Sequence, residues 1–410
     1  MSTALYIFTL VWLVYLWASM RYSVQMFQQN SYRVERYNRW LKQTGEWHSR
    51  MNLAAVLAAL CFVLTYHAVA LAIFGVWMLV IAASEFSIKY KIPLAYTMRV
   101  KRLFITRLVL TFAVVTLVHL YAERYTLAVM MLLALDYWTI LANIINRPLE
   151  AAITRWYYND AKRMLRAMPN LKIIGITGSF GKTSTKHFLY RVLSEKYNVL
   201  MTPGNFNTTL GVVRTVREHL KPHHEVFIVE MGAKQRGDIK EICDLVEPHM
   251  GIITSVGEMH LETFGSIEGV ARTKFELIDA LPEGGLGVVN VDSEAAAEYL
   301  KSLDRKVSTY GIDNPEAEYR AVDIAYSSQQ TEFSVDKGDN TTTTYATHIL
   351  GRGNILNILA ALAIADKLGV GTESQLRCVA SFNEAMSELQ PKLKSGDVML
   401  YENDLPDSFK

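Results

Sequence analysis

Leu171–Lys196 reads LKIIGITGSFGKTSTKHFLYRVLSEK. Its opening, Leu171–Thr177, is a short apolar run rich in β-branched side chains, the composition of a buried strand. Glycines follow at 178 and 181, and apolar residues then return at helical spacing. Strand, glycine loop and helix in that order form the setting that a phosphate-binding loop requires. Gly178 and Gly181 let backbone N–H groups converge on phosphate oxygens, with Thr177, Ser179 and Ser184 flanking them. Lys182 would reach the β- and γ-phosphates, and Thr183 would offer its hydroxyl to Mg²⁺. The strict GxxxxGK[ST] spacing fails by one residue, because Ile176 stands at its first glycine. The variant TGxxGKT is met instead.

Beyond this loop, strand-like and helix-like segments alternate. Val226–Val229, Gly251–Ser255 and Leu286–Val291 read as buried strands. Helical segments are expected near Gly237–Leu245, Ile267–Ala280 and Ala295–Leu300. This alternation predicts an α/β domain with a doubly wound parallel sheet. Ligands of such sheets gather at the carboxyl ends of the strands. The glycine loop, Glu230, Glu258 with His260, and Asn290 with Asp292 all fall at such ends. Gly311–Gly351 alternates polar and β-branched residues and predicts a small antiparallel sheet inserted in the domain, its threonine run forming a hairpin.

Seven motifs then occur in one order: GITGSFGKTSTK, PGNFNTTLG, VEMGAKQRGDI, VGEMHLETFGS, ARTKFEL, NVDSE and GRGNILNILAA. In this order they resemble the Mur ligase family, most of all the branch that adds D-alanyl-D-alanine to a UDP-N-acetylmuramoyl-tripeptide. The resemblance covers roughly residues 171–365. It implies an ATP-dependent amide-bond-forming ligase of peptidoglycan precursor synthesis, which activates a carboxylate as an acyl phosphate for attack by an amine. ATP and Mg²⁺ are the implied cofactors. Carried over by position, Lys182, Lys274 and His260 are the catalytic candidates. Thr183, Glu230, His260 and Lys274 would serve the metals, Lys274 resembling a lysine that the family carbamylates. Asn290, Asp292, Asn354 and Asn357 match positions around the nucleotide base and ribose, and the two later asparagines share one helix face. Asn205, Asn207 and Thr208 match a loop that faces substrate and phosphates.

The first 146 residues read differently. Hydrophobic residues make up 50% of the chain and charged residues 20%, and the apolar excess lies in this part. Thr3–Met20, Leu53–Tyr66, Ala68–Ala83, Leu103–Tyr121 and Tyr125–Ile145 are candidate membrane helices, the last carrying Asp136. Lys and Arg cluster after the first, third and fifth stretches, and the short turns between the others hold only Arg124. That asymmetry predicts a multi-pass plasma-membrane protein, amino terminus outside and catalytic domain cytoplasmic. His67 and His119 lie in or beside these spans, where helix-to-helix hydrogen bonding is the expected role. The three cysteines are far apart and form no CxxC pair, which argues against a disulfide framework or a cysteine zinc site.

The expected organisation is therefore an α-helical membrane region (1–146), a connector (147–170), an ATP-binding central domain of the Mur ligase type (171–388) and the start of a truncated or missing further domain (389–410). The family's substrate-binding amino-terminal domain is replaced by the apolar helices. Gly353 stands where the family has a histidine before the first asparagine of its HNxxN motif. These departures keep other readings open: a ligase acting on another amino-acid polymer or a lipid-linked acceptor, or a non-catalytic ATP-binding scaffold that gathers cell-wall enzymes. The inner-leaflet membrane, a peptidoglycan precursor and a dipeptide are the expected partners. Nucleic acid is not, since the basic residues cluster beside the apolar spans.

Overall fold

The computed structural model describes residues 2–46, 50–64, 68–90, 92–259, 264–327, 330–338 and 341–387. His67, His260 and the 389–410 segment lie outside them. The chain divides into two compact units, Met1–Arg155 and Trp156–Lys410.

The amino-terminal unit is helical: α1 (Ser2–Gln29), α2 (Val34–Thr44), α3 (Arg50–Leu64), α4 (Ala68–Ser87), α5 (Met98–Ala122), α6 (Thr126–Leu133) and the first part of α7 (Tyr137–Arg166). Phe8, Trp12 and Leu16 of α1 pack with Phe62, Leu71, Met78 and Met131 in one apolar core. The outward faces of these helices are apolar too, with Ile7, Leu10, Leu60, Ile73, Val80, Val109 and Leu120 exposed. Among the described residues, three helical stretches are long and apolar enough to cross a membrane: Thr3–Gln29, Val69–Ser87 and Met98–Leu133. Ala55–Leu64 is apolar but shorter.

The fifth expected span is not one helix. α6 stops at Leu133, and α7 starts at Tyr137 and continues through the expected connector to Arg166. The interruption is held by side chains from other helices. A helix end leaves carbonyls without intrahelical partners. The Arg107 guanidinium, buried on α5, donates to the carbonyls of Ala134 and Leu135 at 3.3 and 3.1 Å. The same group donates to the Thr139 hydroxyl at 2.6 Å, and Asn52 donates to the Asp136 carboxylate at 3.1 Å. Asp136 thus sits in the break, hydrogen-bonded between helices as expected for a polar residue in an apolar bundle.

Among the described residues, the carboxyl-terminal unit is built on a nine-stranded sheet. Its strands are β1 (Lys172–Thr177), β2 (Val199–Met201), β3 (Val226–Glu230), β4 (Met250–Ile253), β5 (Leu286–Asn290), β6 (Ser308–Gly311), β7 (Tyr319–Tyr326), β8 (Thr331–Asp336) and β9 (Thr342–Thr347). The order is β2-β3-β1-β4-β5-β6-β7-β8-β9, parallel as far as β7 and antiparallel from β7 to β9. The expected antiparallel segment is therefore real, but it is not a separate sheet. It extends the main sheet, because β7 pairs with β6 through Tyr310 and Tyr319.

Alternation along the strands sorts side chains onto two covered faces, as a parallel sheet requires. Ile174, Ile176 and Ile228 face α8 (Lys182–Leu193) and the Arg352–Lys367 helix, sharing a core with Phe188, Leu189, Ile358 and Leu362. Ile173, Phe227 and Val229 face the opposite way, toward Val212, Val216, Ile239 and Ile242. Phe275, from the Ile267–Asp279 helix, joins Ile253 and Val289 on that second face.

Two measurements check this packing. Phe333 is 0% exposed on β8, so Phe333→Ala is expected to cost about 3–5 kcal/mol, read as a lower denaturant midpoint for the carboxyl-terminal unit. All three cysteines are thiols. Burial pushes the Cys243 thiol up to about 12, with the charges of Asp244 and Glu276 adding to it. Burial likewise pushes Cys378 up to about 11. Both thiols stay protonated at pH 8, so iodoacetamide followed by mass mapping is expected to label neither until denaturant is added.

Candidate nucleotide site

The register of the sheet brings the candidate residues together. Ile176 of β1 pairs with Glu230 of β3, and Thr177 pairs with Ile253 of β4. Val289, one residue before Asn290, lies beside Ile253. The carboxyl ends of four neighbouring strands therefore open onto the same edge as the glycine loop.

The loop is tied to the end of β4. Ser179 N donates to Ser255 O at 2.8 Å, and Phe180 N donates to Ser255 Oγ at 2.9 Å. Thr254 Oγ1 donates to Phe180 O at 2.5 Å. The buried Ser179 hydroxyl accepts from Gly257 N at 3.0 Å. A Cβ on Gly178 would collide with Thr254 Oγ1, so only glycine admits this approach. Gly181 caps α8 with φ +82°, the left-handed region that favours glycine, and Asn357 packs against its Cα. At the start of α8, Thr185 N donates to Gly181 O at 2.9 Å. The amides of Lys182, Thr183 and Ser184 thus belong to the helix start, where N–H groups have no intrahelical partner and favour an anion.

Lys182 is 5% exposed. Its ammonium donates to Gly178 O and Ser179 O at 2.9 and 3.1 Å, lying along the loop. Thr183 Oγ1 donates to Glu230 Oε2 at 3.1 Å. That carboxylate is 1% exposed and takes two further side-chain donors: Lys186 Nζ on Oε2 at 2.8 Å and Asn207 Nδ2 on Oε1 at 3.3 Å. A hydroxyl and a carboxylate side by side are hard oxygen donors, which suit Mg²⁺ completed by water and phosphate. The residues present therefore fit the implied ion. Among the described residues, no group of three or more His, Cys, Asp or Glu side chains gathers as a metal site.

A cleft of about 720 Å³ opens beside the loop, lined by Phe180, Gly181, Thr183, Ser184, Asn290, Arg352, Asn354 and Asn357 among others. It is of the size that holds a small-molecule ligand. Asn290 donates to Thr254 O at 2.7 Å, Asn354 to Leu350 O at 2.9 Å, and Asn357 Oδ1 accepts from Thr185 Oγ1 at 3.1 Å. Gly353 lines the cleft without a side chain.

Other candidates are placed differently. Asp292 does not line the cleft. Its carboxylate accepts from the backbone amides of Ile312, Asp313 and Asn314 at 2.6–3.2 Å, which holds the turn after β6. Thr177 Oγ1 is spent on Met231 O at 3.0 Å. Thr208 caps the Thr209–His219 helix through Gly211 N, and Asn205 is exposed on the loop before it. Lys274 is buried on the Ile267–Asp279 helix. Lys186 was missed. It sits three residues after Thr183, on the same face of α8, and that spacing was the available signal.

Residues 176–365 match the Mur ligase middle domain family. The chain is 29% identical over 276 residues to the UDP-N-acetylmuramoyl-tripeptide--D-alanyl-D-alanine ligase of Escherichia coli (strain K12), covering 64% of this chain and 58% of that protein. It is 34% identical over 202 residues to the protein of that name from Bacillus subtilis (strain 168), covering 49% and 42%. The chain thus spans about half the length of these relatives. Among solved structures, MurF from Acinetobacter baumannii superposes with a TM-score of 0.50 at 28% identity, over 54% of this chain and 48% of that one. MurF ligase from Thermotoga maritima, solved in complex with ADP, gives 0.51 at 28% identity, over 55% and 52%. Residues 176–365, within the carboxyl-terminal unit, are therefore similar to the middle domain of Mur ligases.

Proposed function

We propose that this chain is an ATP-dependent amide-bond-forming ligase that joins D-alanyl-D-alanine to a UDP-N-acetylmuramoyl-tripeptide. One observation carries the reading: the start of α8, the Thr183–Glu230 pair and the asparagine-lined cleft meet on a single sheet edge. The helix-start amides and Lys182 provide positive charge for a polyphosphate. Lys182 would trade its bonds to the loop carbonyls for phosphate oxygens. Thr183 and Glu230 would hold Mg²⁺, which when bound neutralises crowded phosphate oxygens. Asn290, Asn354 and Asn357 would orient the nucleoside end in the cleft. Asn207 reaches Glu230 from the loop that would face the acceptor. The loop's ties to Thr254 and Ser255 hold these groups in place before substrate arrives, which keeps the reorganisation cost low.

We also infer a multi-pass plasma-membrane location, amino terminus outside and ligase unit cytoplasmic. The apolar outer faces of α1, α3, α4 and α5 support this reading, as does the clustering of Lys and Arg on alternate turns. A lipid-linked acceptor is a second reading, favoured by apolar helices in the same chain as the ligase domain.

Phosphate release by detergent-solubilised protein tests the activity. Release is expected to need ATP, Mg²⁺, the UDP-linked tripeptide and D-alanyl-D-alanine together. Lys182→Ala is expected to lower it by at least about 100-fold, the scale of losing one preorganised charge stabiliser. Release with a lipid-linked acceptor alone would favour the second reading, and no acceptor dependence would overturn both. For topology, a carboxyl-terminal green fluorescent protein fusion is expected to fluoresce and an alkaline phosphatase fusion to be inactive; the reverse pattern would overturn the orientation.

A further inference from the structure

We propose that Lys186 is a positioning residue that clasps the 203–208 loop to the Glu230 carboxylate and so sets that carboxylate for Mg²⁺. This rests on the nucleotide-site reading above. Lys186 is 0% exposed, yet its ammonium has two partners from different parts of the domain. It donates to Glu230 Oε2 at 2.8 Å, at the end of β3, and to Gly204 O at 2.6 Å, within the loop. The loop also reaches Glu230 directly, through Asn207 at 3.3 Å. One buried cation thus bridges the carboxylate and a loop carbonyl, and Asn207 closes the link from the other carboxylate oxygen. Thr183 and Lys186, three residues apart on α8, both address Oε2. With Oε2 held from one helix and Oε1 from the loop, the carboxylate has one orientation, and the loop's place depends on it.

An ammonium beside a metal-binding carboxylate can act in two opposed ways. As a competing charge it would weaken Mg²⁺ binding, and its removal would tighten it. As an orienting contact its removal would weaken the metal-dependent part of nucleotide binding alone. Both oxygens of Glu230 are constrained through contacts that include Lys186, and this favours orientation.

The test uses the full chain in detergent with ADP as the probe. ADP affinity is measured by calorimetry with Mg²⁺ and with EDTA, and amide hydrogen exchange is followed across residues 203–209. In Lys186→Met the gain in ADP affinity from Mg²⁺ is expected to fall about 10-fold, the affinity in EDTA to hold, and exchange in the loop to quicken. Lys186→Gln keeps a neutral donor group and is expected to lie between; it carries the test if Lys186→Met does not fold. An unchanged or larger Mg²⁺ gain in a folded variant would overturn the proposal. So would a parallel loss with and without Mg²⁺, which would mark a purely structural lysine. No ADP binding by the wild-type chain would overturn the nucleotide reading itself, and this proposal with it.

Discussion

The Glu230 carboxylate is almost fully buried, and the rest of the site is arranged around satisfying it. A buried carboxylate persists as an ion only when it is paired and hydrogen-bonded. Glu230 meets that condition with Thr183, Lys186 and Asn207, while its backbone amide is held by Thr202 Oγ1 at 3.1 Å. Removing one partner from such a pair costs about 3–5 kcal/mol, far more than an exposed ion pair returns. The surface pairs of this unit, such as Lys240 with Asp244 or Lys301 with Glu298, are therefore incidental beside it.

The sheet makes that pairing geometrically possible. Parallel strands end at the same edge, and the registers of β1 with β3 and β4 place Glu230 and Thr254 on either side of the glycine loop. The loop is then held by side chains at the end of β4 rather than by its own conformation alone. The Arg352–Lys367 helix closes the arrangement, since Asn357 contacts both Thr185 and the backbone at Gly181. A substitution at Asn357 would disturb the loop as well as the cleft.

In the amino-terminal unit the same rule acts on a different scale. Arg107 is fully enclosed, and its two terminal nitrogens donate to carbonyls at the break between α6 and α7 and to hydroxyls of neighbouring helices. A charged group in an apolar bundle and a broken helix would each be costly alone. Placed together, each supplies what the other lacks.

Local pattern was enough for β1, β3, β4 and β5, several helices and the glycine loop, because hydrophobic period and the strand–loop–helix order are properties of neighbouring residues. The order of motifs placed the domain in its family. Tertiary structure alone decided the rest. Asp292 looked like a nucleotide ligand, but its partners are amides some twenty residues later, at Ile312–Asn314. The β7–β9 segment looked like a separate sheet, but pairing of β6 with β7 joins it to the main one. The fifth apolar stretch looked like one helix, but Arg107 stabilises a break in it from another helix. Lys186 was not singled out at all, and only the approach of Glu230 and the 203–208 loop gives it a buried role. In each case the deciding contact joins residues distant in sequence, and a hydrogen bond across the fold leaves no periodicity to read.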